Sequence, residues 1–169
     1  MFWAAAARRL GGSLIIIWHS RTGASEALAR AAAQGAGHFA RLMPAADAQA
    51  RDLLEAGGFL FVCPENLGTM TGQMKEMFDR CYYPLLGQIE GRPYASIIAA
   101  GSDGEGAQRQ LDRIVTGWRL RRVAEPLIVG LAAQTPAAIL SPKIVPAPQL
   151  VLASELGMAL AQGLEQGIF

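Results

Sequence analysis

The sequence predicts a three-layer, doubly wound α/β sandwich around a five-stranded parallel sheet, and three observations lead to this prediction. Five short apolar runs of strand length recur at even intervals along the chain. Helical patterns fill the gaps between them, and strands joined by helical crossovers run parallel because a hairpin cannot make that return. The chain has 169 residues, 51% of them hydrophobic, so one domain can cover both faces of the sheet.

The strands are predicted from β-branched or aromatic runs that end at proline, glycine or a polar residue. The first, Leu14–Trp18, is unbroken, which is typical of a strand covered on both faces. The others lie at 38–43, 59–63, 94–100 and 126–129. The second run is the weakest of the five.

Helices are predicted where apolar residues return every three or four positions. Two span 25–34 and 47–56, and three are marked by apolar positions at 74–81, 111–118 and 156–164. One segment breaks this rhythm, because residues 131–149 hold four prolines and show no steady period. Two interpretations of that segment stay open: a long ordered loop, or a flap or subunit contact near the functional site.

Composition excludes several classes of protein. Fifteen basic and fourteen acidic residues leave a net charge of +1, so no general field attracts nucleic acid. No apolar run reaches the roughly 18–20 residues of a membrane span. Cys63 and Cys81 are too few for a disulfide framework or a four-cysteine zinc site, and we expect buried free thiols in a reducing, cytoplasmic compartment.

The domain is predicted to span residues 13–169, with residues 1–12 as an N-terminal extension. The extension does not read as a secretory signal, because Arg8 and Arg9 follow its short apolar stretch, whereas signal-peptide charges precede a longer one.

The loop after the first strand is the first of three loops in which we expect function. It carries hydroxyls at Ser20, Thr22 and Ser25 with a glycine, Gly23, at the start of a helix. Backbone N–H groups and hydroxyls that converge on a helix N-terminus bind phosphate well, and Arg21 would add a charged contact. The alternative is an ordinary Ser/Thr helix cap. His19 is predicted to be a hydrogen-bonded part of the scaffold and not a catalytic base.

The loops after the third and fourth strands follow strand ends on the same side of the sheet. In the 64–72 loop, Thr71 is expected to cap the next helix, and Glu65 to lie on the rim or point to solvent. The 101–106 loop holds three glycines, which indicate close approach of its backbone to a flat group. Asp103 and Glu105 lack a third ligand, so no metal site is predicted.

These segments resemble the flavodoxin-like superfamily, and within it the small FMN-dependent NAD(P)H oxidoreductases. The similar motifs are 18–25, 64–75 with 78–80, 100–106 and 163–169, so the resemblance covers nearly everything from Ser13 onward. It implies the flavodoxin-like strand order 2-1-3-4-5, with FMN bound at the carboxyl ends of the strands.

Site residues follow from this resemblance position by position. The FMN phosphate would lie among Ser20, Arg21, Thr22, Gly23, Ala24 and Ser25. The isoalloxazine and ribityl would be bordered by Pro64, Glu65, Asn66, Leu67 and Gly68, and the far edge of the ring by Ser102, Asp103 and Gly106. Ser25 replaces the family's usual threonine and keeps its hydroxyl. Glu26 is compatible with a bound phosphate only if it points outward, toward Arg30.

The superfamily contains both one-electron carriers and two-electron reductases. Carriers resemble one another in being strongly acidic and in shielding the flavin with aromatic residues, whereas this chain has a net charge of +1 and no Phe, Tyr or Trp in 64–72 or 101–106. The resemblance therefore favours a reductase that uses NAD(P)H to reduce a quinone, a free flavin or a similar small acceptor. Such chemistry belongs to the flavin and needs no catalytic side chain.

Two alternatives stay open, a flavodoxin-type carrier and an interaction or regulatory module of the same fold without flavin. Relatives are often dimers or tetramers, and the apolar surplus fits a homo-oligomer.

Overall fold

The computed structural model describes residues 12–169, so the predicted extension lies, apart from Gly12, outside the described residues. The strands are β1 (Leu14–Trp18), β2 (Ala40–Pro44), β3 (Gly58–Asn66), β4 (Thr69–Met70), β5 (Pro93–Ala100), β6 (Arg121–Arg122) and β7 (Leu127–Gly130). The helices are α1 (Ala24–Ala36), α2 (Ala50–Glu55), α3 (Gly72–Leu85), α4 (Glu105–Gly117), α5 (Pro136–Leu140) and α6 (Ala147–Glu165).

The main sheet is parallel and confirms the predicted order. Its path is β2-β1-β3-β5, and the fifth position beside β5 is occupied by β6 and then by β7. The fifth strand is thus split, whereas the sequence predicts one run at 126–129. Pro126 lies in the interruption, and a proline has no N–H to donate to a neighbouring strand.

Buried side chains on the two faces of the sheet form two apolar layers. On β1, Ile15 and Ile17 belong to the layer covered by α2, α3 and α4, and Leu14 and Ile16 belong to the layer covered by α1 and α6. The strand is therefore buried on both faces, as its unbroken apolar run predicts. This three-layer packing brings the ends of β1, β3 and β5 to one edge of the molecule.

Helices α1 and α6 pack with unusually close backbones on one face. A Cβ atom built on Gly157 of α6 would collide with the carbonyl oxygen of Ala32, and one built on Gly35 of α1 would collide with that of Ser154. Small residues are needed at both crossing points, because a side chain there would force the helices apart. This contact fixes the position of α1, whose first turn belongs to the predicted phosphate loop.

Several predicted boundaries are wrong. The second strand begins at Ala40 and not at 38, because 37–39 form a 3₁₀ turn. The 131–149 segment, which shows no period in sequence, contains α5 and the start of α6 at Ala147. Prolines stand within the first two positions of α5 and of α6. The N–H groups there have no partner within the helix, so proline is favoured at these positions and marks where each helix begins.

The basic stretch at 119–122 follows α4, and all three of its arginines are exposed. Arg121 and Arg122 form β6, and the Arg122 guanidinium lies 3.2 Å from the Asp112 carboxylate. Arg119 has its side-chain nitrogen 3.7 Å from the Glu90 carboxylate. These arginines lie at the start of β5, at the edge of the sheet opposite the predicted site.

Both cysteines are buried free thiols, as predicted. Burial raises the pKa of Cys63 to about 12, so this thiol stays protonated and unreactive at neutral pH. Across residues 12–169, none of the helices has the length and apolar content needed to cross a membrane.

Candidate flavin site

A cavity of about 600 Å³ opens at the carboxyl ends of β1, β3 and β5. Most of the predicted site residues line it, namely Ser20, Arg21, Thr22, Ala24, Ser25, Pro64, Glu65, Asn66, Leu67, Gly68 and Ser102. Gly23, Asp103 and Gly106 lie outside the lining. Three loops far apart in sequence therefore meet at one site, because parallel strands end at the same edge of their sheet.

The loop before α1 is a tight turn built on Gly23. This residue has a φ of 100°, a conformation that favours glycine, and its N–H donates to the Ser20 hydroxyl oxygen at 3.0 Å. Gly23 precedes the first helical residue, and no side chain caps the helix. The alternative of an ordinary Ser/Thr cap is thus wrong, because no side chain accepts from the N–H groups of the first turn of α1.

Two buried polar atoms at this loop have no hydrogen-bond partner. Among the described residues 12–169, they are the Ser25 hydroxyl and the indole N–H of Trp18. An unsatisfied buried polar group costs roughly 1–3 kcal/mol, so a group that supplies the missing acceptor would bind with that energy in its favour. A phosphate fits this loop, because it accepts hydrogen bonds from hydroxyls and from the N–H groups of a helix N-terminus.

Glu26 does not oppose an anion at this position. Its carboxylate is exposed and lies 2.8 Å from the Arg30 guanidinium, one turn along α1. The side chain thus points outward, the one orientation that the sequence leaves compatible with a bound phosphate.

His19 belongs to the scaffold, as predicted. Its Nδ1 is hydrogen bonded to the Thr71 hydroxyl at 2.9 Å, which ties the end of β1 to the start of α3. The prediction that Thr71 caps α3 is therefore wrong. Thr71 stands just before α3, but its side chain makes no hydrogen bond to the helix. Partial burial, and next the nearby charge of Arg21, lower the pKa of His19.

Acidification is expected to remove stability through His19. The folded pKa is depressed, so the unfolded chain takes up the proton first, and the contribution of His19 is lost as pH falls below the unfolded value of about 6.5 and on through the lower folded pKa. Urea unfolding near pH 8 and near pH 5.5 measures the loss. His19→Gln is expected to reduce it, whereas His38→Gln, at an exposed position, is expected to leave it unchanged. An equal loss in all three proteins would contradict this assignment.

The loop after β3 is a β-hairpin and not an open turn. Its strands pair Glu65 with Met70 and Asn66 with Thr69, and Leu67 and Gly68 at the tip have φ values of 55° and 73°. Positive φ at both central residues is the conformation of a type I′ hairpin turn, which glycine adopts freely and leucine only under strain. The hairpin is held to α4 by the Met70 N–H, which donates to the Gln110 side-chain oxygen at 2.8 Å.

Glu65 lies on the rim as predicted, but its carboxylate has a structural function that the sequence does not reveal. One carboxylate oxygen accepts from the Gly104 N–H at 2.9 Å and the other from the Ala107 N–H at 3.1 Å. Glu65 therefore caps α4 from a different loop, where a negative charge is favoured by the helix dipole. It holds the second and third site loops at a set separation.

Gly106 serves this same contact between loops. A Cβ atom on it would collide with the Gly68 carbonyl oxygen and come within 3.3 Å of the Glu65 carboxylate. This packing explains why Gly106 does not line the cavity. The contact of Gly106 with the edge of the flavin stays a prediction. Asp103 is exposed, and no group of three or more potential metal-ligating side chains occurs among residues 12–169.

Loss of the Glu65 carboxylate is expected to loosen both loops. Glu65→Ala removes two charge-assisted hydrogen bonds and leaves two N–H groups without their acceptor, which is expected to cost about 2 kcal/mol in the free energy of unfolding. Urea denaturation checks this value. Glu155→Ala, on the exposed face of α6, serves as the control and is expected to change stability by less than about 0.5 kcal/mol. Equal effects of the two substitutions would show that the cap contributes nothing.

The fourth wall of the cavity comes from residues 131–145, which we call the strap. One end is held by the N–H groups of Leu131 and Ala133, which donate to Ala100 and Gly101 at 2.8 and 3.0 Å. At the other end, the Lys143 N–H donates to the Thr22 carbonyl at 2.7 Å. The strap thus joins the third site loop to the phosphate loop, which favours the flap interpretation over that of a plain connecting loop.

Sequence reasoning left a flap near the site open for this segment but named none of the residues that the strap contributes. Five of its residues line the cavity: Leu131, Ala133, Ile139, Leu140 and Lys143. The available signal was the cluster of prolines, which marks an ordered segment but does not say which wall the segment covers.

Solved structures with the same arrangement of strands and helices identify the fold. A solved structure described as a flavodoxin, WrbA-like protein from Agrobacterium tumefaciens aligns with a TM-score of 0.74 at 17% identity, covering 92% of this chain and 98% of that one. FerB, a flavoenzyme NAD(P)H:(acceptor) oxidoreductase from Paracoccus denitrificans, aligns with a TM-score of 0.66 at 12% identity, covering 92% and 98%. The fold is thus flavodoxin-like, as the sequence resemblance implies.

The family follows from sequence. The family model described as NADPH-dependent FMN reductase matches residues 36–134, more than half of the chain, and the protein belongs to this family. A flavodoxin of Aquifex aeolicus is 30% identical over 109 residues, which make up 62% of this chain and 59% of that protein. The family match includes the hairpin and the 101–106 loop but begins after the phosphate loop, so the assignment of that loop depends on its geometry.

Proposed function

We propose that the protein binds FMN in this cavity and catalyses two-electron transfer from NAD(P)H to a small acceptor, a quinone or a free flavin. The observation that carries the proposal is the buried, unpartnered Ser25 hydroxyl at the uncapped N-terminus of α1, in a cavity formed where three strands end. Membership of the NADPH-dependent FMN reductase family supports the same cofactor and electron donor.

The residues of the phosphate loop would bind the phosphate group. Ser25 and Thr22 offer hydroxyls, and the first turn of α1 offers backbone N–H groups and a partial positive charge. Arg21 would add a charge at the exposed side of the loop. The Ser20 hydroxyl already accepts from Gly23 and still has its own hydrogen to donate, so it shapes the turn and would also donate to the phosphate.

The rest of the cavity would orient the ring system and exclude water. The hairpin 64–70 and the 101–106 loop are held together by Glu65, so their backbone groups are fixed before a ligand arrives. When bound, FMN supplies the chemistry, accepting a hydride and passing two electrons on. The strap forms one wall of the cavity, and this wall would limit access of bulk water to the ring.

A flavodoxin-type carrier is the second candidate, favoured by the Aquifex relative. Two features count against it: the net charge of +1 offers no acidic surface for docking to basic partners, and the side chain at the hairpin tip is Leu67 and not an aromatic. An aliphatic, exposed tip leaves room for a nicotinamide and then an acceptor to reach the ring in turn.

Titration with FMN separates these candidates from a flavin-free module. Purified protein is expected to quench FMN fluorescence and to gain thermal stability with FMN, and then to consume NADPH or NADH rapidly with a quinone. No binding at saturating FMN would eliminate both flavin-dependent functions. Binding with a stable one-electron reduced form and little direct oxidation of NAD(P)H would identify a carrier. A screen of acceptors with both nicotinamides then defines the reaction.

Self-association and a cytoplasmic location stay predictions. Exposed apolar side chains on α6, Val151, Leu152 and Met158, support a contact between copies of the chain, and light scattering on purified protein measures the mass directly. The two buried free thiols support a reducing compartment.

A further inference from the structure

Lys143 of the strap is a cation of the cavity that the sequence motifs leave unassigned. The chain has two lysines, and they lie in different settings. Lys75, on α3, has its ammonium 2.7 Å from the Asp79 carboxylate and lies outside the cavity lining. Lys143 lines the cavity, and none of the ion pairs among residues 12–169 includes it. A cation without a carboxylate partner at a cavity suits a ligand that brings its own negative charge.

The strap itself holds the Lys143 ammonium in a fixed position. The ammonium donates to the carbonyl oxygens of Ile139 and Ser141 at 3.0 and 2.6 Å, at the C-terminal end of α5. The other end of α5 is capped by the Thr135 hydroxyl, which accepts from the Ala138 N–H at 3.2 Å. An ammonium has three N–H groups, so one donor stays available after these two bonds. A charge that is positioned before the ligand arrives loses little side-chain entropy on binding.

The backbone of Lys143 lies against the phosphate loop. Its N–H donates to the Thr22 carbonyl at 2.7 Å, and its carbonyl oxygen lies 3.9 Å from a Cβ atom built on Gly23. In the same loop, Ser25 lines the cavity, is 1% exposed and has a hydroxyl without a hydrogen-bond partner. That hydroxyl is independent evidence for a ligand group at this end of the cavity, because buried polar groups are normally hydrogen bonded.

The charges around the cavity favour Lys143 as the main partner of an anion. Among the described residues that line the cavity, the charged ones are Arg21, Glu65 and Lys143. The Glu65 carboxylate is already bonded to two N–H groups at the start of α4. Arg21 is exposed, so water and salt screen its charge, whereas Lys143 is half-buried and its charge is screened less.

We infer that Lys143 is a phosphate-binding residue of this site, and that its ammonium donates the remaining N–H to the phosphate of FMN. The inference rests on the proposed function. The ligand group is a phosphate monoester, whose negative charge is matched by the ammonium on one side and by the N-terminus of α1 on the other. The 2′-phosphate of NADPH has the same chemistry, and a comparison of NADPH with NADH distinguishes the two sources.

The test compares the affinities for FMN and for riboflavin, which has the same ring and ribityl chain but no phosphate. Lys143→Met removes the charge and keeps an unbranched side chain. Fluorescence titration is expected to show about a tenfold weaker Kd for FMN and a Kd for riboflavin within about twofold of the wild-type value. Lys143→Arg keeps the charge and is expected to recover part of the FMN affinity. Lys75→Met is the matched control and is expected to bind both ligands as the wild-type protein does.

Inorganic phosphate gives a second measurement without a flavin. At constant ionic strength, replacing chloride by phosphate is expected to raise the melting temperature of the FMN-free wild-type and Lys75→Met proteins equally. In Lys143→Met the rise is expected to be less than about half as large, because phosphate then acts mainly through its general salt effect, which is common to all three proteins. Where riboflavin binds too weakly to titrate, this measurement decides: an equal rise in Lys143→Met and Lys75→Met would contradict the inference.

The outcomes separate the assignment of Lys143 from the proposed function. If the wild-type protein binds neither FMN nor riboflavin, the proposed function fails and the assignment fails with it. If the wild-type protein binds FMN and Lys143→Met binds it equally well, the assignment alone is wrong. An equal loss of affinity for FMN and riboflavin would also overturn it, because Lys143 would then only hold α5 in place. A KM that rises for NADPH and not for NADH, with the Kd for FMN unchanged, would assign the ammonium to the 2′-phosphate and contradict its binding to FMN.

Discussion

Ser25→Ala is expected to make the FMN-free protein slightly more stable and to weaken FMN binding at the same time. The hydroxyl is buried in α1 and unpartnered, so removing it abolishes a desolvation cost, and alanine also favours the helix, for a gain of about 0.5–1 kcal/mol. With FMN present, the variant lacks a hydrogen bond to a charged phosphate, worth roughly 1.5–3 kcal/mol, or roughly tenfold to a hundredfold in Kd.

Because stability is expected to rise while FMN affinity falls, a general loss of structure cannot produce both effects. Urea denaturation without FMN and fluorescence titration with FMN measure them separately. Ser96→Ala is the matched control, because the Ser96 hydroxyl is equally buried but donates to the Gln108 side-chain oxygen at 2.7 Å. That variant is expected to lose roughly 1–3 kcal/mol of stability and to bind FMN as before. Should Ser25→Ala lose stability and keep its Kd, the hydroxyl would be structural and the phosphate loop assignment would be wrong.

Gly157→Ala is expected to destabilise the protein by about 2–3 kcal/mol, although alanine normally stabilises a helix interior by about 1 kcal/mol. The added methyl group would collide with the backbone carbonyl of Ala32, and a backbone atom in a packed helix cannot move aside as a side chain can. Displacement of α1 would also shift the first turn that carries Ser25, so FMN affinity is expected to fall with stability.

The same substitution at Gly72 is the control for Gly157. A Cβ atom there has nothing within 4 Å, and the residue begins helix α3. Gly72→Ala is therefore expected to be neutral or stabilising by a few tenths of a kcal/mol. Thermal unfolding of both variants measures the contrast, with a fall of roughly 4–12 °C expected for Gly157→Ala alone. A stabilised Gly157→Ala protein would show that the two helices separate at little cost.

The parallel pairing of the strands and the edge of the sheet at which the cavity opens could be predicted because their signals are local. The strand order was implied by the family resemblance. An unbroken run such as Leu14–Trp18 indicates burial on both faces by its composition alone, and helical spacing between runs requires parallel pairing. The phosphate loop was visible for the same reason: Gly23 and its neighbouring hydroxyls lie within six residues of one another, and the turn that they form is a property of those residues.

The split of the fifth strand and the α5 helix were not predictable on the same basis. The residue types of Arg121 and Arg122 indicate exposed charge and not a strand. They form a strand only because the edge of β5 is available for pairing. Five residues of α5 are too few for a helical period to be visible, and this helix depends on its cap and its anchors at both ends.

The sequence by itself determined the class of fold, the edge of the sheet at which the cavity opens and the tight turn of the loop that is proposed to bind phosphate. Tertiary structure alone decided what holds that site together: Glu65 capping a helix some forty residues away, Gly106 packing under the hairpin, and the strap closing over the cavity. The physical reason is the range of the interactions. Backbone conformation and apolar periodicity depend on neighbours in sequence, whereas a cap or a lid between distant segments exists only after the sheet has brought their ends together.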